Sequence, residues 1–370
     1  MNPQRILVTA DAVGGVWTYA LDLARGLAER GVSVVLAVLG PPPDPVQREA
    51  ATAIGGLELV ETGLPLDWTA DSDSELAATA VRLAALAEGH GVDTVHCHAP
   101  ALAADAAFGR PVVVVNHSCL ATWHRAMRGD KPLPDDFAWR VARTARGLSQ
   151  ADAVLAPTAA FAQATAEAYG LQGVPRAVHN GRAAAVVPQD DDRLDAGVFT
   201  AGRLWDEAKG ASVIDAAAGR MTNPLRAAGP LIGPNGARAM LSDAVALGSL
   251  SAAEMAHALA RRPVFCSAAF YEPFGLSVLE AAQAGCSLVL SDIPTFRELW
   301  DGAAVFTPAG DPAALAAALN ALVPDEERRR ALGAAARERA GTYTADRMAQ
   351  AVLAVHREVA AVRTRRERAA

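Results

Sequence analysis

A chain of 370 residues exceeds what one ordinary core organises, so two domains of about 150–200 residues each are expected. Apolar residues make up 51% and charged residues 20%, and the formal net charge is −7. That balance argues against a general polyanion binder such as a nucleic-acid-binding protein, and leaves room for a local basic pocket that takes a small anion.

The chain enters a strand, RILVTAD (5–11), without a basic-then-apolar leader, and no apolar run approaches the ~20 residues that span a bilayer. A cytoplasmic protein is expected, with membrane contact at most peripheral. DAVGGVWTY (11–19) follows, and its adjacent Gly14 and Gly15 allow a tight turn and close approach of backbone to a ligand. The segment lacks the G-x-G-x-x-G fingerprint, and no P-loop pattern is present, which disfavours a nicotinamide dehydrogenase or a P-loop NTPase. An amphipathic helix over 17–31 comes next. SVVLAVLG, LELVETG, DTVHCHA, PVVVVNHS and AVLAPT read as further strands, separated by helices near 74–89, 137–149 and 159–169. Near-continuous apolar strands alternating with helices predict a parallel sheet covered on both faces, with ligands beyond the carboxyl ends of the strands.

PRAVHNG (175–181) closes this series, and the acidic, proline-bearing VVPQDDDRLDAG (186–197) is the linker candidate. VFTAGR, PLRAAG, PVFCSAA, SLVLSD and AAVFTP form a second alternating series. The expected organisation is residues 1–187, then 188–343, then a C-terminal helical stretch, 344–370, that packs back towards the first domain. Its basic tail RTRRERAA reads as a solvated, frayed end.

Within the second series, AGRLWDEAKG places Arg203 and Lys209 on either side of a short turn after a strand, a fork and a point charge suited to a diphosphate. In FYEPFGLSVLEA, Pro273 forces a loop, and a helix opens at Leu276. That aims the backbone N–H groups of Gly275, Leu276 and Ser277 at the strand-end crevice. Glu272 lies in the loop and Glu280 one turn inside the helix. On this segment alone, a capped helix and a site are even alternatives. His117, directly after the PVVVV strand, is a candidate hydrogen-bonding partner for substrate, against the alternative of a satisfied loop histidine. His96 and His98 would share one strand face, but no third metal ligand has suggestive spacing. Asp71-Ser72-Asp73 precedes a helix, where capping is the expected role. The four scattered cysteines form no C-x-x-C pair and read as reduced core thiols. Trp17, Trp68 and Trp123 could stack on sugar or pack in the interior.

Taken together, GRLWDEAKG, EPFGLSVLE, EAAQAGCSLVLSDIPTFREL, GGVWTYALDLARGLAERG, NHS and ADAVLAPT resemble the retaining glycosyltransferases of family 4. The resemblance implies the GT-B fold, an α/β architecture of two Rossmann-like doubly wound domains facing across a cleft. It implies transfer of a hexosyl group from a nucleoside-diphosphate sugar with retained configuration, and neither metal nor cofactor. Arg203 and Lys209 would neutralise the diphosphate. Glu272 would bind donor sugar hydroxyls, with the backbone from Pro273 through Phe274, Gly275 and Leu276 to Ser277 around sugar and phosphates, and Glu280 would bind the ribose. Gly14 and Gly15 would approach the diphosphate and His117 the sugar. The acceptor, a glycan, a lipid-linked group or a small molecule, is left open. A non-catalytic nucleotide-sugar-binding subunit and a nucleotide-sugar epimerase are the alternatives.

Overall fold

The computed structural model describes residues 3–105, 108–185, 193–234 and 236–369, with side chains up to residue 365. The chain forms two units, Met1–Gly181 with Ala345–Ala370, and Arg182–Thr344. Residues 186–192 of the expected linker, and with them the expected boundary at 187/188, lie outside the described residues.

The N-terminal unit runs β1 (Arg5–Asp11), α1 (Gly15–Ala28), β2 (Ser33–Leu39), α2 (Pro45–Thr52), β3 (Leu57–Glu61), α3 (Asp73–Gly89), β4 (Thr94–Cys97), β5 (Val112–Val115), α4 (Leu120–Arg128), α5 (Asp135–Gln150), β6 (Ala153–Ala156), α6 (Ala159–Tyr169) and β7 (Arg176–Ala177). Its strands are all parallel, in the order β3-β2-β1-β4-β5-β6-β7. β1 sits between β2 and β4 and shows why its run is apolar without a break. Ile6 and Val8 join Leu23 and Leu27 of α1 on one face, while Leu7 joins Leu76 and Leu83 of α3 on the other.

The C-terminal unit repeats the plan with β8 (Val198–Ala201), α7 (Ala211–Ala218), β9 (Leu225–Ala228), β10 (Val245–Gly248), α8 (Ala252–Ala260), β11 (Val264–Ser267), α9 (Leu276–Ala284), β12 (Leu288–Ser291), α10 (Pro294–Trp300), β13 (Ala304–Thr307), α11 (Pro312–Leu322) and α12 (Glu326–Ala340). The strand order is β10-β9-β8-β11-β12-β13, again parallel throughout. In both sheets the order reverses beside the first strand, between β1 and β4 and between β8 and β11. Loops leaving such a pair diverge to opposite faces and open a crevice.

The last helix, α13 (Ala345–Ala369), belongs to the N-terminal unit. It lies so close to α1 that a Cβ on Gly26 would stand 2.4 Å from that of Ala349. Met348, Val352, Leu353, Val355 and Val359 complete the core that Leu23 and Leu27 begin. The basic tail does not fray as expected. The helix continues to Ala369, in keeping with the high helix propensity of alanine, arginine and glutamate.

Candidate active site

Two loops meet at the switch point of the C-terminal unit. After β8 the chain makes a short helical turn, Glu207–Lys209, capped by the side chain of Asp206, which accepts from the Ala208 N–H. After β11 it passes through AFYEPFG. The carbonyl of Ala208 accepts from the N–H groups of both Phe270 (2.9 Å) and Tyr271 (3.4 Å), which ties the first loop to the second. Gly210 makes this approach possible. It adopts the left-handed conformation (φ +69°), and a Cβ there would lie 2.1 Å from the Ala268 carbonyl oxygen. As a result Lys209, from one loop, donates to Glu272, from the other, with Nζ 2.8 Å from Oε2 and both side chains more than four-fifths buried. The Glu272 carbonyl in turn accepts from Thr295 Oγ1 at 2.6 Å, fixing the second loop to α10.

Arg203 stands at the start of the same turn. It is half-exposed, 3.4 Å from Asp206 Oδ2, with its guanidinium against Trp205. Lys209 and Arg203 therefore differ: the lysine is engaged by an acid, and the arginine retains most of its donor fork.

The side chains of Pro273 and Phe274 turn into the interior, where Phe274 meets Tyr343 edge-on at 5.8 Å, so that only their backbone can serve a ligand. Gly275, with φ +90°, opens α9 and leaves Leu276 and Ser277 in its first turn. A Cβ on Gly275 would press on the Phe296 ring at 3.1 Å and on Glu272 Cγ at 3.3 Å, so this glycine governs where Glu272 can sit. Glu280, further along α9, pairs with Arg182, a residue that the motifs did not single out.

Gly14 caps α1 in the N-terminal unit, and Gly15 is its first residue. Asp11 Oδ1 accepts from the Val13 N–H at 2.8 Å and shapes the turn before them. His117, after β5, is half-buried as a residue but has its ring Nε2 shut off from solvent, and it lies edge-on to Tyr19 (4.5 Å) and to His98 (5.0 Å). His96 Nδ1 and His356 Nε2 are 3.0 Å apart, and His356 Nδ1 meets Thr94 Oγ1 at 2.8 Å. His96 is thus tied to α13, an arrangement with no local signal in the sequence. Burial lowers the pKa of both His117 and His356 to about 3. His96 and His98 are also held well below the ordinary histidine range, by burial first and then by the neighbouring imidazoles. All four rings are neutral at pH 7. Among the described residues, no group of three His, Cys, Asp or Glu side chains could hold a metal ion.

Other sequence candidates find plain roles. Ser72 caps α3 by accepting from the Glu75 N–H, and Asp73 is bound by Arg143 and Arg146. Trp17 packs in the core, whereas Trp68 is exposed. Cys97, Cys266 and Cys286 are buried, and burial pushes their thiols up to about 12. Beside Trp68 the structure adds a carboxyl that the motifs did not mark: Asp67, raised to about 6 by burial and then by the charge of Asp11.

The family model of Glycosyltransferase Family 4 matches residues 13–184, and that of the group 1 glycosyl transferases matches residues 240–339. The chain belongs to the group 1 glycosyltransferases. Solved structures similar to this glycosyltransferase include a sucrose-phosphate synthase from Thermosynechococcus elongatus. It is 17% identical, with a TM-score of 0.76 over 97% of this chain and 100% of that one. HepE of Anabaena, in complex with UDP-glucose, is 17% identical with a TM-score of 0.70, over 95% and 98% of the two chains. WaaG, a glycosyltransferase involved in lipopolysaccharide biosynthesis, is 13% identical with a TM-score of 0.70, over 95% and 99%. Identities this low speak to the fold, which is GT-B with two Rossmann-like α/β domains. No curated protein matches in sequence.

Proposed function

We propose that this glycosyltransferase takes its sugar from a nucleoside-diphosphate sugar, transfers it with retained anomeric configuration, and needs neither metal nor cofactor to do so. The observation that carries the reading is the pairing of Lys209 with Glu272 across two loops tied together at the sheet's switch point. Breaking a glycosyl–diphosphate bond places positive charge on the sugar ring and negative charge on the departing phosphates. The principal task is then to hold preorganised charge where those charges develop.

Arg203 and Lys209 supply fixed cations for the diphosphate, which is the task a divalent metal performs elsewhere. The Glu272 carboxylate, already oriented by Lys209 and Gly275, accepts from sugar hydroxyls, and the backbone from Pro273 to Ser277 lines sugar and phosphates. Glu280 accepts from the ribose. Gly14 and Gly15 are proposed to serve the diphosphate of the same donor and His117 its sugar. A neutral imidazole suits a hydroxyl better than a phosphate, and the low pKa of His117 supports that division. UDP-glucose, the ligand of HepE, is the first donor to try.

The test is a product-release assay over UDP-, GDP- and ADP-sugars with glycan, lipid-linked and small-molecule acceptors, in the presence of EDTA. NMR of the product would read the anomeric configuration. Release of nucleoside diphosphate coupled to an acceptor, undiminished by EDTA, is expected. Strict dependence on added metal or an inverted product would overturn the corresponding part of the reading.

A further inference from the structure

Arg182 opens the C-terminal unit, and three contacts fix it there. Its N–H donates to the Tyr343 carbonyl at 3.2 Å, and its own carbonyl accepts from Gln283 Nε2 on α9 at 3.0 Å. From this pinned backbone its guanidinium reaches Glu280, one turn before Gln283 on the same helix, and forms an ion pair with about three-quarters of each side chain buried. A glutamate side chain on a helix surface samples several rotamers. This one is held by a planar fork whose root is itself tied to the helix.

Resting on the reading of Glu280 as the ribose ligand, we propose that Arg182 is a positioning residue that sets how strictly the enzyme requires a ribose. A carboxylate offers about four acceptor positions, and a bound arginine restricts where the others point. Hydrogen bonds discriminate by geometry. A site built around a hydroxyl rejects the analogue that lacks it, because the buried acceptor is left without its donor. Without Arg182, Glu280 loses the fork that sets its direction. The opposite arrangement, a latch in which Arg182 must release Glu280 before a ribose can enter, predicts the opposite sign: removing the arginine would tighten binding.

The test is calorimetric titration of the full chain with UDP, GDP and ADP and with their 2′-deoxy counterparts, using the pair whose ribo form binds the wild type most tightly. The wild type is expected to prefer the ribo form about tenfold or more, the worth of one hydrogen bond to a charged acceptor. Arg182→Gln should bring the ratio to within about threefold of unity and leave the affinity for the deoxy form within about twofold, and Arg182→Lys should restore part of the ratio. A change that acted only on folding would weaken both ligands by one factor and leave the ratio intact. An unchanged ratio in Arg182→Gln, or tighter binding of the ribo form, overturns the inference. Glu280→Gln separates the two levels. If it keeps the ratio, the ribose assignment of Glu280 is wrong and the inference falls with it. If it loses the ratio while Arg182→Gln keeps it, the assignment stands and the inference alone falls. Absence of binding by all three ribo forms would overturn both.

Discussion

Beyond the strand ends of the C-terminal unit the characteristic polar side chains are ions held by ions, Lys209 with Glu272 and Arg182 with Glu280. In the N-terminal unit they are imidazoles kept neutral by burial, His96 within β4 and His98 and His117 beyond the strand ends, all around Tyr19, with His356 behind them. One strand order thus supports two kinds of polar environment. Permanent charges meet a ligand's charges at any pH near neutrality. Neutral rings offer direction without charge, but they carry a cost in acid, because each refuses a proton that the unfolded chain accepts.

The comparison breaks first at Lys209. If charge in the C-terminal unit does the chemistry, Lys209→Ala should lower turnover by about 10²–10³, the scale of removing one preorganised stabilising group. It should also weaken nucleoside-diphosphate binding, and unchanged affinity in calorimetry would contradict the diphosphate role. Glu272→Gln should reduce sugar transfer by roughly tenfold or more while affecting nucleotide affinity less. Equal losses in the two assays would point to a folding defect. Gly210→Ala tests the joint between the loops. With φ +69° and the Ala268 carbonyl in the way, destabilisation of about 1–3 kcal/mol is expected in urea denaturation, together with loss of activity.

The smallest effect is the gradual one, and it sharpens the other half of the contrast. Unfolded histidines take up protons below about pH 6.5. Folded His117 and His356 do so only near pH 3. Between those values the unfolded chain binds more protons, so stability is fully present above about pH 6.5 and declines as pH falls towards 3. Each such ring contributes a slope of up to ~1.4 kcal/mol per pH unit. His356→Gln should flatten the pH dependence of the unfolding free energy, read from urea denaturation between pH 7 and 5, by up to that amount. An identical slope would mean that His356 titrates in the folded protein.

Much of this was legible where local chemistry decides. RILVTAD reads as a strand because all its central residues are buried in a parallel sheet, and Pro273 marks a loop because it cannot continue the strand before it. β10 escaped for a different reason: it is a four-residue edge strand, VALG, whose apolar side chains are all exposed and whose register with β9 shifts, so its short run is not set by burial in a core. At the site, motif residues were placed on the right loops, yet their partners were not foreseeable. Lys209 meets Glu272 across 63 residues, Arg182 meets Glu280 across 98, and His96 meets His356 across 260. Pairs of that separation are created by topology, and no spacing rule encodes them.

The return of α13 to the first unit has a consequence for the order in which this protein can be made. The N-terminal sheet leaves the ribosome first, but the face of α1 around Gly26 lacks its cover until Met348 to Val359 have been synthesised. The unit begun earliest is therefore finished last. The whole Arg182–Thr344 unit has been synthesised while its predecessor still lacks this cover. Stalling or truncation before Met348, at the start of α13, should release a chain whose first unit exposes an apolar seam and is prone to aggregate.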